Sequence, residues 1–279
     1  MKYTGLIGYP VAHSLSPRMQ EAGFAALGIE ARYELWKTPA SELEARVRSL
    51  RAPRMLGANV TIPHKEAVLP WLDEIDPQAE RIGAVNTIVN RDSRLVGYNT
   101  DAPGFLRALQ ERGGPEFTLR GRQTVVLGSG GAARGAAVAL LDSQVSALTI
   151  LGRTGAHVGA LVEHLQRQSP GYNVRGVLLE TFEARHILGE AEVVVNTTPV
   201  GLKPGDKTQL IDVGFLPTSA LVMDMIFNPP QTPLLQAAEE HGCLALNGLS
   251  MLLYQGTLAL ELWTGQNAPE EIMRATLGL

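Results

Sequence analysis

Apolar strand patterns alternate with helical patterns along the second half of this chain, and this alternation constrains the fold more than any other sequence feature. Strands are predicted at residues 124–127, 147–151, 174–179, 193–196, 221–226 and 244–246. Helical patterns lie between most of them, for example residues 232–241, which a Thr-Pro pair opens and a glycine ends. Because strands that alternate with helices are joined by right-handed crossovers, they form a mostly parallel sheet. This half is therefore predicted to be a doubly wound α/β domain.

A glycine loop follows the first of these strands. Residues 125–133 read VVLGSGGAA and fit the pattern G-x-G-x-x-G/A, with Gly128, Gly130 and Ala133 at its three defined positions. The first glycine permits a tight turn, the second lets backbone approach a pyrophosphate, and the third keeps the helix close to the strand. The N-terminus of the next helix offers free N–H groups to phosphates. The loop predicts a dinucleotide site; the alternative is a glycine turn that packs tightly for its own sake.

The end of the second strand distinguishes the two nicotinamide cofactors. In NAD sites an Asp or Glu binds the ribose there, about 20 residues after the glycine loop. This chain reads LGRT at residues 151–154, without an acid. Arg153 can instead pair with a 2′-phosphate, and Thr154 can add a hydroxyl, so NADP is predicted over NAD. The alternative for Arg153 is an ordinary solvated arginine.

The first half of the chain predicts a second α/β unit, with a boundary near residues 101–105. Strands are predicted at residues 3–8, 32–36 and 56–62, a hairpin at 85–89 and 94–98, and a helix after Pro63. Another helix opens at Ser16 and Pro17, with Ser16 as its N-cap. From residue 249 onward the sequence is helical and has no strand left to pair. This tail is expected to fold back on the first unit.

Two polar segments of the first half are candidates for binding a small molecule. Ser14 and Ser16 place two hydroxyls at one positive helix end, which suits a carboxylate, although capping alone would explain a serine there. Asn59 and Thr61 share one face of a strand, since alternate residues of a strand point to the same side. Both pairs are polar groups of the kind that orient a ligand.

Lys65 and Asp101 are candidates for proton chemistry in the same half. Lys65 ends the run NVTIPHK, and a lysine there is more often solvated than catalytic when taken alone. Asp101 is a fair N-cap for the helix that follows, which is a sufficient structural reason for it. An aspartate close to Lys65 would also hold the ammonium in place for proton transfer.

Composition narrows the classes of function. The 24 Lys and Arg residues against 28 Asp and Glu give a net charge of −4, which leaves no positive excess to neutralise a nucleic-acid backbone. One cysteine, Cys243, permits no internal disulfide and no metal-ligand cluster, as is typical of a reducing compartment. Neither a signal-peptide pattern nor a run of about 20 apolar residues is present. We expect a cytoplasmic protein that binds a small molecule, without metal, membrane or nucleic acid, as a monomer or a homodimer.

Taken together in their order along the chain, these segments resemble the shikimate dehydrogenase family. The matching segments are residues 13–17 (HSLSP), 59–65 (NVTIPHK), 83–87 (GAVNT), 99–101 (NTD), the glycine loop, 196–201 (NTTPVG), 224–229 (DMIFNP) and 248–255 (GLSMLLYQ). They cover nearly the whole chain. The joint match favours the catalytic interpretation of Lys65 and Asp101 over the structural one.

The resemblance implies a reversible, NADPH-dependent reduction of 3-dehydroshikimate to shikimate in aromatic amino acid (chorismate) biosynthesis. It implies two α/β domains: a substrate domain with a mixed sheet at residues 1–103, completed by helices 249–279, and a Rossmann-type NADP domain with a parallel sheet at residues 104–248. Lys65 and Asp101 would be the catalytic pair. The substrate ligands would be Ser14, Ser16, Asn59, Thr61, Asn86 and Gln255. The cofactor ligands would be Gly128, Ser129, Gly130, Gly131, Ala132, Arg153, Thr154, Met225 and Gly248.

Four positions depart from the family pattern. Gly152 stands where the family usually has Asn, and His157 where it often has a second basic residue, so selection of NADP is expected to be softer than usual. Phe227 stands where Tyr is common, and Ser250 where Gly is usual. Two alternatives therefore remain: a quinate/shikimate dehydrogenase paralogue with relaxed cofactor choice, and a catalytically silent regulatory protein that senses NADP.

Overall fold

The chain divides into two compact units. The computed structural model describes residues 1–203 and 205–279. Unit 1 comprises Met1–Gly104 and Leu252–Leu279, and unit 2 comprises Phe105–Met251. Two helices contain the points of division, α4 (Asp101–Gly113) and α9 (Leu249–Thr264).

Unit 1 is built on a mixed sheet, as predicted, but the sheet has six strands and not the five that the sequence predicts. Its elements besides parts of α4 and α9 are β1 (Lys2–Gly8), α1 (Ser16–Ala26), β2 (Ala31–Lys37), α2 (Leu43–Ser49), β3 (Gly57–Val60), β4 (Glu74–Ile75), α3 (Pro77–Ile82), β5 (Thr87–Arg91), β6 (Arg94–Tyr98) and α10 (Glu270–Leu277). The strand order is β2-β1-β3-β5-β6-β4. β1 runs parallel to β2 and β3, whereas β5 runs antiparallel to β3 and β6. A buried apolar cluster that includes Ile7, Val47 and Ile88 forms its core.

The predictions at Ser16 and after Pro63 are wrong. Ser16 is the first residue of α1 and not its cap, because Leu15 occupies the N-cap position and makes no side-chain capping bond. No α-helix follows Pro63; residues 65–68 form turns, and a single 3-10 turn covers Leu69–Trp71. A helix would need the Lys65 carbonyl to accept from the N–H of Leu69, but that carbonyl accepts from Val85 at 2.8 Å.

Unit 2 contains the parallel sheet that the alternating pattern predicted. Its elements are β7 (Gln123–Leu127), α5 (Gly131–Asp142), β8 (Ala147–Gly152), α6 (Gly155–Gln168), β9 (Val174–Leu178), α7 (Phe182–Glu190), β10 (Val193–Asn196), β11 (Leu221–Asp224), α8 (Pro233–His241) and β12 (Leu244–Leu246). The order is β12-β11-β10-β7-β8-β9, and every pair is parallel. The chain order therefore reverses between β7 and β10, which is where doubly wound sheets bind ligands.

The strands of unit 2 lie where they were predicted, apart from their ends. β11 stops two residues before the predicted end of that strand at residue 226, because the N–H of Ile226 donates to the side chain of Asp224 at 3.0 Å. The helix predicted over residues 232–241 is α8: the Thr232 hydroxyl accepts from the N–H of Leu235, and Gly242 ends the helix in a left-handed conformation.

Two features are absent from the described ranges, 1–203 and 205–279. No helix there is both long enough and apolar enough to pass through a bilayer. No group of three or more His, Cys, Asp or Glu side chains there is arranged to hold a metal ion.

Candidate active site

Lys65 and Asp101 are in contact in unit 1. Lys65 Nζ lies 2.7 Å from Asp101 Oδ2, and their side chains are 16% and 13% exposed. The backbone of Lys65 is held in place by the hydrogen bond that its carbonyl accepts from Val85. A charged pair that is mostly shielded from water interacts more strongly than one on the surface. The pair is therefore oriented and partly desolvated.

The aspartate of this pair is free from helix capping. Asp101 is the first residue of α4, and Asn99 Oδ1 accepts the hydrogen bond from the N–H of Ala102 at 3.1 Å. The prediction that Asp101 serves as the N-cap is therefore wrong, because the side chain of Asn99, two residues earlier, accepts the capping hydrogen bond. Within residues 1–203 and 205–279, Asp101 is the acceptor bonded to Lys65 Nζ, which leaves two of the three ammonium donors for a ligand.

A buried amide network joins three of the predicted substrate ligands. Asn59 on β3 faces Thr87 across the antiparallel β3–β5 pair, and its Nδ2 donates to Thr87 Oγ1 at 3.0 Å. Asn86 Oδ1 accepts from the N–H of Thr100 at 2.7 Å, and Asn86 Nδ2 donates to Gln255 Oε1 at 3.5 Å. The exposed fractions of Asn59, Asn86 and Gln255 are 5%, 3% and 9%. Buried amides that are hydrogen-bonded in this way have fixed orientations.

The two serines have different local roles. Ser14 Oγ accepts from the N–H of Ser16 at 3.2 Å, so Ser14, and not Ser16 as predicted, bonds a backbone N–H at the start of α1. The Ser16 side chain is 5% exposed and caps nothing. The prediction that Thr61 lies on the same strand as Asn59 is wrong, because β3 ends at Val60. Thr61 is half-buried, and its N–H donates to the Ile7 carbonyl at 2.8 Å. In the part of the chain that the structure describes, Thr61 shares no hydrogen bond with the amide network.

The glycine loop of unit 2 contains glycines of two kinds. Gly128 has a φ of +111°, and a Cβ on it would lie 2.6 Å from Thr197 Oγ1, so the fold itself requires glycine there. Gly130 has φ −88° and ψ −169°, which any residue adopts, and a Cβ on it would meet nothing within 4 Å. Packing against the described residues therefore does not require glycine at position 130. The close approach of a pyrophosphate would explain a glycine that packing does not require.

The loop lies beside the reversal point of the sheet. Ser129 precedes the helix start at Gly131 and Ala132, where α5 presents unpaired N–H groups. Thr197 follows β10, and its hydroxyl donates to the Leu127 carbonyl at 2.7 Å. The carboxyl ends of β7 and β10 are thus tied together at the edge where a dinucleotide would bind.

A buried aspartate, to which the sequence patterns assign no role, organises the same edge of unit 2. Asp224 Oδ1 accepts from Asn196 Nδ2 and from the N–H of Ile226, both at 3.0 Å, and Oδ2 accepts from the Thr232 hydroxyl at 2.7 Å. Burial raises the pKa of the Asp224 carboxyl, and these hydrogen bonds oppose that shift. The sequence signal that could have identified Asp224 is the presence of an Asn and an Asp at the ends of two apolar strands, and these two residues pair in the sheet.

The remaining predicted cofactor ligands lie after other strands of unit 2. Arg153 and Thr154 follow β8 directly, and both are exposed. In the described ranges of the chain, no hydrogen bond or ion pair engages the Arg153 guanidinium. Gly248 packs against Met225 so closely that a Cβ on it would lie 2.2 Å from the Met225 carbonyl oxygen. Because a larger residue would not fit this contact, packing explains the glycine at position 248. The contact also keeps Gly248 beside Met225.

Two segments of the chain match known domain families. Residues 6–88 match the family described as the shikimate dehydrogenase substrate binding domain. Residues 248–277 match the family described as the shikimate 5′-dehydrogenase C-terminal domain. The first segment contains Lys65 and the polar residues around it, and the second contains Gln255.

Whole-chain comparisons give the same result. The chain is 46% identical over 271 residues to the shikimate dehydrogenase (NADP(+)) of Symbiobacterium thermophilum, covering 97% of this chain and 91% of that protein. The structure matches shikimate 5-dehydrogenase from Thermus thermophilus in complex with NADP(H) and shikimate with a TM-score of 0.87 at 38% identity, covering 100% and 99% of the two chains. Quinate dehydrogenase from Corynebacterium glutamicum in complex with NAD matches with a TM-score of 0.87 at 32% identity, covering 100% and 99%.

Proposed function

This chain belongs to the shikimate dehydrogenase family, and we propose that Lys65 and Asp101 are the catalytic pair with which it interconverts 3-dehydroshikimate and shikimate. It is an NADP-dependent oxidoreductase, like the relatives that are named shikimate dehydrogenase (NADP(+)), and we place it in aromatic amino acid biosynthesis. The observation that carries the assignment of the pair is the 2.7 Å contact between Lys65 Nζ and Asp101 Oδ2, at a helix start where Asn99 and not Asp101 accepts the capping bond.

Lys65 and Asp101 carry out the proton transfer of the proposed reaction. NADPH, when bound, supplies the hydride that reduces the substrate carbonyl carbon. Lys65 donates a proton from Nζ to the carbonyl oxygen, which becomes the hydroxyl of shikimate. Asp101 holds the ammonium on one side so that its remaining N–H donors point to the substrate. In the reverse direction the neutral amine of Lys65 removes the hydroxyl proton.

Unit 1 supplies the polar groups for the substrate. We assign Ser14 and Ser16 to the carboxylate, because the N-terminus of α1 adds a positive dipole end to their hydroxyls. The ring hydroxyls are assigned to Asn59, Thr61, Asn86 and Gln255. We accordingly propose residues 1–103 and 249–279 as the substrate domain, close to the bounds of unit 1.

Unit 2 supplies the groups for the cofactor, and its glycine loop fits a pyrophosphate. The open space at Gly130 and the unpaired N–H groups at the start of α5 are what a phosphate group needs. We assign Gly128, Ser129, Gly130, Gly131 and Ala132 to the pyrophosphate, Arg153 and Thr154 to the 2′-phosphate, and Met225 and Gly248 to the nicotinamide end. Residues 104–248 are the proposed NADP domain.

The test of this function is an assay of four substrate pairs. Purified protein is mixed with shikimate or quinate and with NADP or NAD, and formation of the reduced nicotinamide is followed by its absorbance. We expect the highest kcat/KM with shikimate and NADP. Faster turnover with quinate, which Phe227 and the structural match to a quinate dehydrogenase would explain, identifies the paralogue instead. Absence of turnover in all four mixtures, with NADP still bound in a calorimeter, leaves the regulatory alternative.

Replacing Arg153 with alanine is expected to raise the KM for NADP about tenfold, the cost of losing a hydrogen-bonded charge partner of a phosphate. The KM for NAD, which lacks that phosphate, should stay near the wild-type value. Steady-state kinetics with both cofactors measure the two constants. Arg167→Ala, an exposed arginine near the end of α6, is the matched control. Equal changes for NADP and NAD would refute the assignment.

We also propose a cytoplasmic location and either a monomer or a homodimer. The location is supported by the single cysteine, Cys243, which suits a reducing compartment. Sedimentation velocity distinguishes the two assembly states.

A further inference from the structure

A buried tyrosine contacts the proposed substrate ligands of unit 1 without being one of them. Tyr33 lies on β2 and is 3% exposed, and its hydroxyl donates to Asn59 Oδ1 at 2.9 Å. β1 separates the strands of the two residues in the sheet, with Thr4 paired to Tyr33 and Leu6 paired to Asn59. The Tyr33 side chain therefore crosses one strand to reach the amide.

The surroundings of Tyr33 hold its hydroxyl in place as a donor. Its backbone N–H donates to Glu21 Oε1 at 3.3 Å, and its ring packs against Trp263 with 6.2 Å between centroids. Trp263 is fixed in turn by donating to the Ile88 carbonyl at 2.9 Å. Burial raises the pKa of Tyr33 above its ordinary value. The hydroxyl is therefore protonated at neutral pH.

The hydrogen bond from Tyr33 leaves Asn59 one free binding position. Asn59 Nδ2 donates to Thr87 Oγ1 at 3.0 Å and to the Asn86 carbonyl at 3.3 Å, which uses both amide protons. Its Oδ1 has two lone pairs, and Tyr33 occupies one. The position that remains is an acceptor. Asn59 can accept a hydrogen bond from a ligand hydroxyl but has no proton left to donate to one.

Tyr33 also lies near a second proposed substrate ligand. The Ser16 side chain is close enough to the Tyr33 hydroxyl to lower its pKa, in opposition to burial. Ser16 is one of the two proposed carboxylate ligands, and Asn59 is a proposed ligand of a ring hydroxyl. The hydroxyl of Tyr33 is thus bonded to one proposed ligand and lies beside another.

We propose that Tyr33 is a positioning residue for substrate recognition, whose hydroxyl helps to hold the Asn59 amide so that it presents an acceptor to a ring hydroxyl. This inference rests on the proposed function, since it explains how an assigned ligand is oriented. Tyr33 acts through Asn59 and touches no reacting atom. It should therefore influence substrate binding and leave the chemical step unchanged.

The test is Tyr33→Phe, which removes one oxygen and keeps the ring. Without the donor, the Asn59 amide loses one of the three hydrogen bonds that orient it, so we expect the KM for shikimate to rise about five- to tenfold. The kcat and the KM for NADP should stay near the wild-type values, a division that a general loss of structure would not produce. Tyr254→Phe is the matched control: Tyr254 is 4% exposed in the same unit, and its hydroxyl accepts from Arg274 at 2.7 Å.

A double-mutant cycle shows whether Tyr33 acts through Asn59. In an Asn59→Ala background, Tyr33→Phe should change the KM for shikimate much less than it does in the wild type, since the amide it orients is gone. An undiminished rise there, or an unchanged KM in Tyr33→Phe itself, overturns the inference while the wild type remains active. Lack of shikimate turnover by the wild type would instead overturn the proposed function, so the two failures are distinct. Thermal melting of every variant separates these results from loss of folding.

Discussion

Replacing Lys65 with alanine is expected to lower kcat by about 10²–10⁴-fold, the range typical for loss of a positioned acid–base group. Without the ammonium, the carbonyl oxygen has no donor as it becomes a hydroxyl, and water must supply the proton. The KM for NADP should change little, because Lys65 belongs to unit 1 and the phosphate loop to unit 2. Steady-state kinetics in both directions measure the effect.

Two controls separate this catalytic loss from structural damage. Lys65→Ala leaves the Asp101 carboxylate without the partner at 2.7 Å, so its thermal midpoint should be recorded beside its kinetics. Lys2→Ala removes an exposed lysine of the same unit, whose Nζ donates to the Pro53 carbonyl at 3.3 Å, and should keep the full kcat. A Lys65→Ala enzyme that is folded and retains the wild-type kcat would exclude Lys65 from the proton transfer.

Replacing Gly130 with alanine is expected to raise the KM for NADP about 5- to 100-fold without lowering the melting temperature. The added methyl group meets no atom of the described residues within 4 Å, so folding is not affected. It would occupy the space that we assign to the pyrophosphate, and forcing a methylene into an occupied space costs about 1–3 kcal/mol. Each 1.4 kcal/mol is about a tenfold change in affinity. Kinetics and thermal melting of the same sample measure both quantities.

Two other glycines make this experiment specific. Gly159 in α6 also has open space around a Cβ, so Gly159→Ala should change neither binding nor folding adversely. Gly128→Ala should lower the melting temperature as well as the affinity, because its φ is +111° and Thr197 Oγ1 stands 2.6 Å from the new Cβ. A Gly130→Ala protein that binds NADP as the wild type does would mean that no phosphate approaches this backbone.

The capping residues show where local sequence reasoning failed. Ser and Asp are residue types that often form N-caps, but neither Ser16 nor Asp101 is one. Leu15 occupies the cap position of α1, and the Asn99 side chain accepts the hydrogen bond from the first turn of α4. Several polar residues stand within a turn of each helix start, and the backbone conformation decides which one bonds the free N–H groups. This difference matters for function. Because Ser16 and Asp101 do not cap a helix, their side chains are available for the roles we assign to them, substrate binding for Ser16 and proton transfer with Lys65 for Asp101.

The two groups that the sequence left without a role, Tyr33 and Asp224, share one property. Each is buried and acts through hydrogen bonds to residues that come from other elements, Asn59 for Tyr33 and Asn196 and Thr232 for Asp224. A tyrosine in an alternating strand and an aspartate at the end of an apolar run are ordinary in sequence. Only the position of the neighbouring strands makes them organising residues.

The sequence by itself determined the features that are periodic or local. The strands of both sheets other than β4, helix α8 and the glycine loop after β7 follow from residue spacing, since side-chain direction repeats every two residues in a strand and every 3.6 in a helix. Tertiary structure alone decided which distant groups meet: Lys65 with Asp101, Tyr33 with Asn59, and Asn86 with Gln255, 169 residues apart in the chain. The physical reason is that such contacts depend on strand order and on the return of α9 to unit 1. Periodicity specifies which face of an element is buried and does not specify its neighbour.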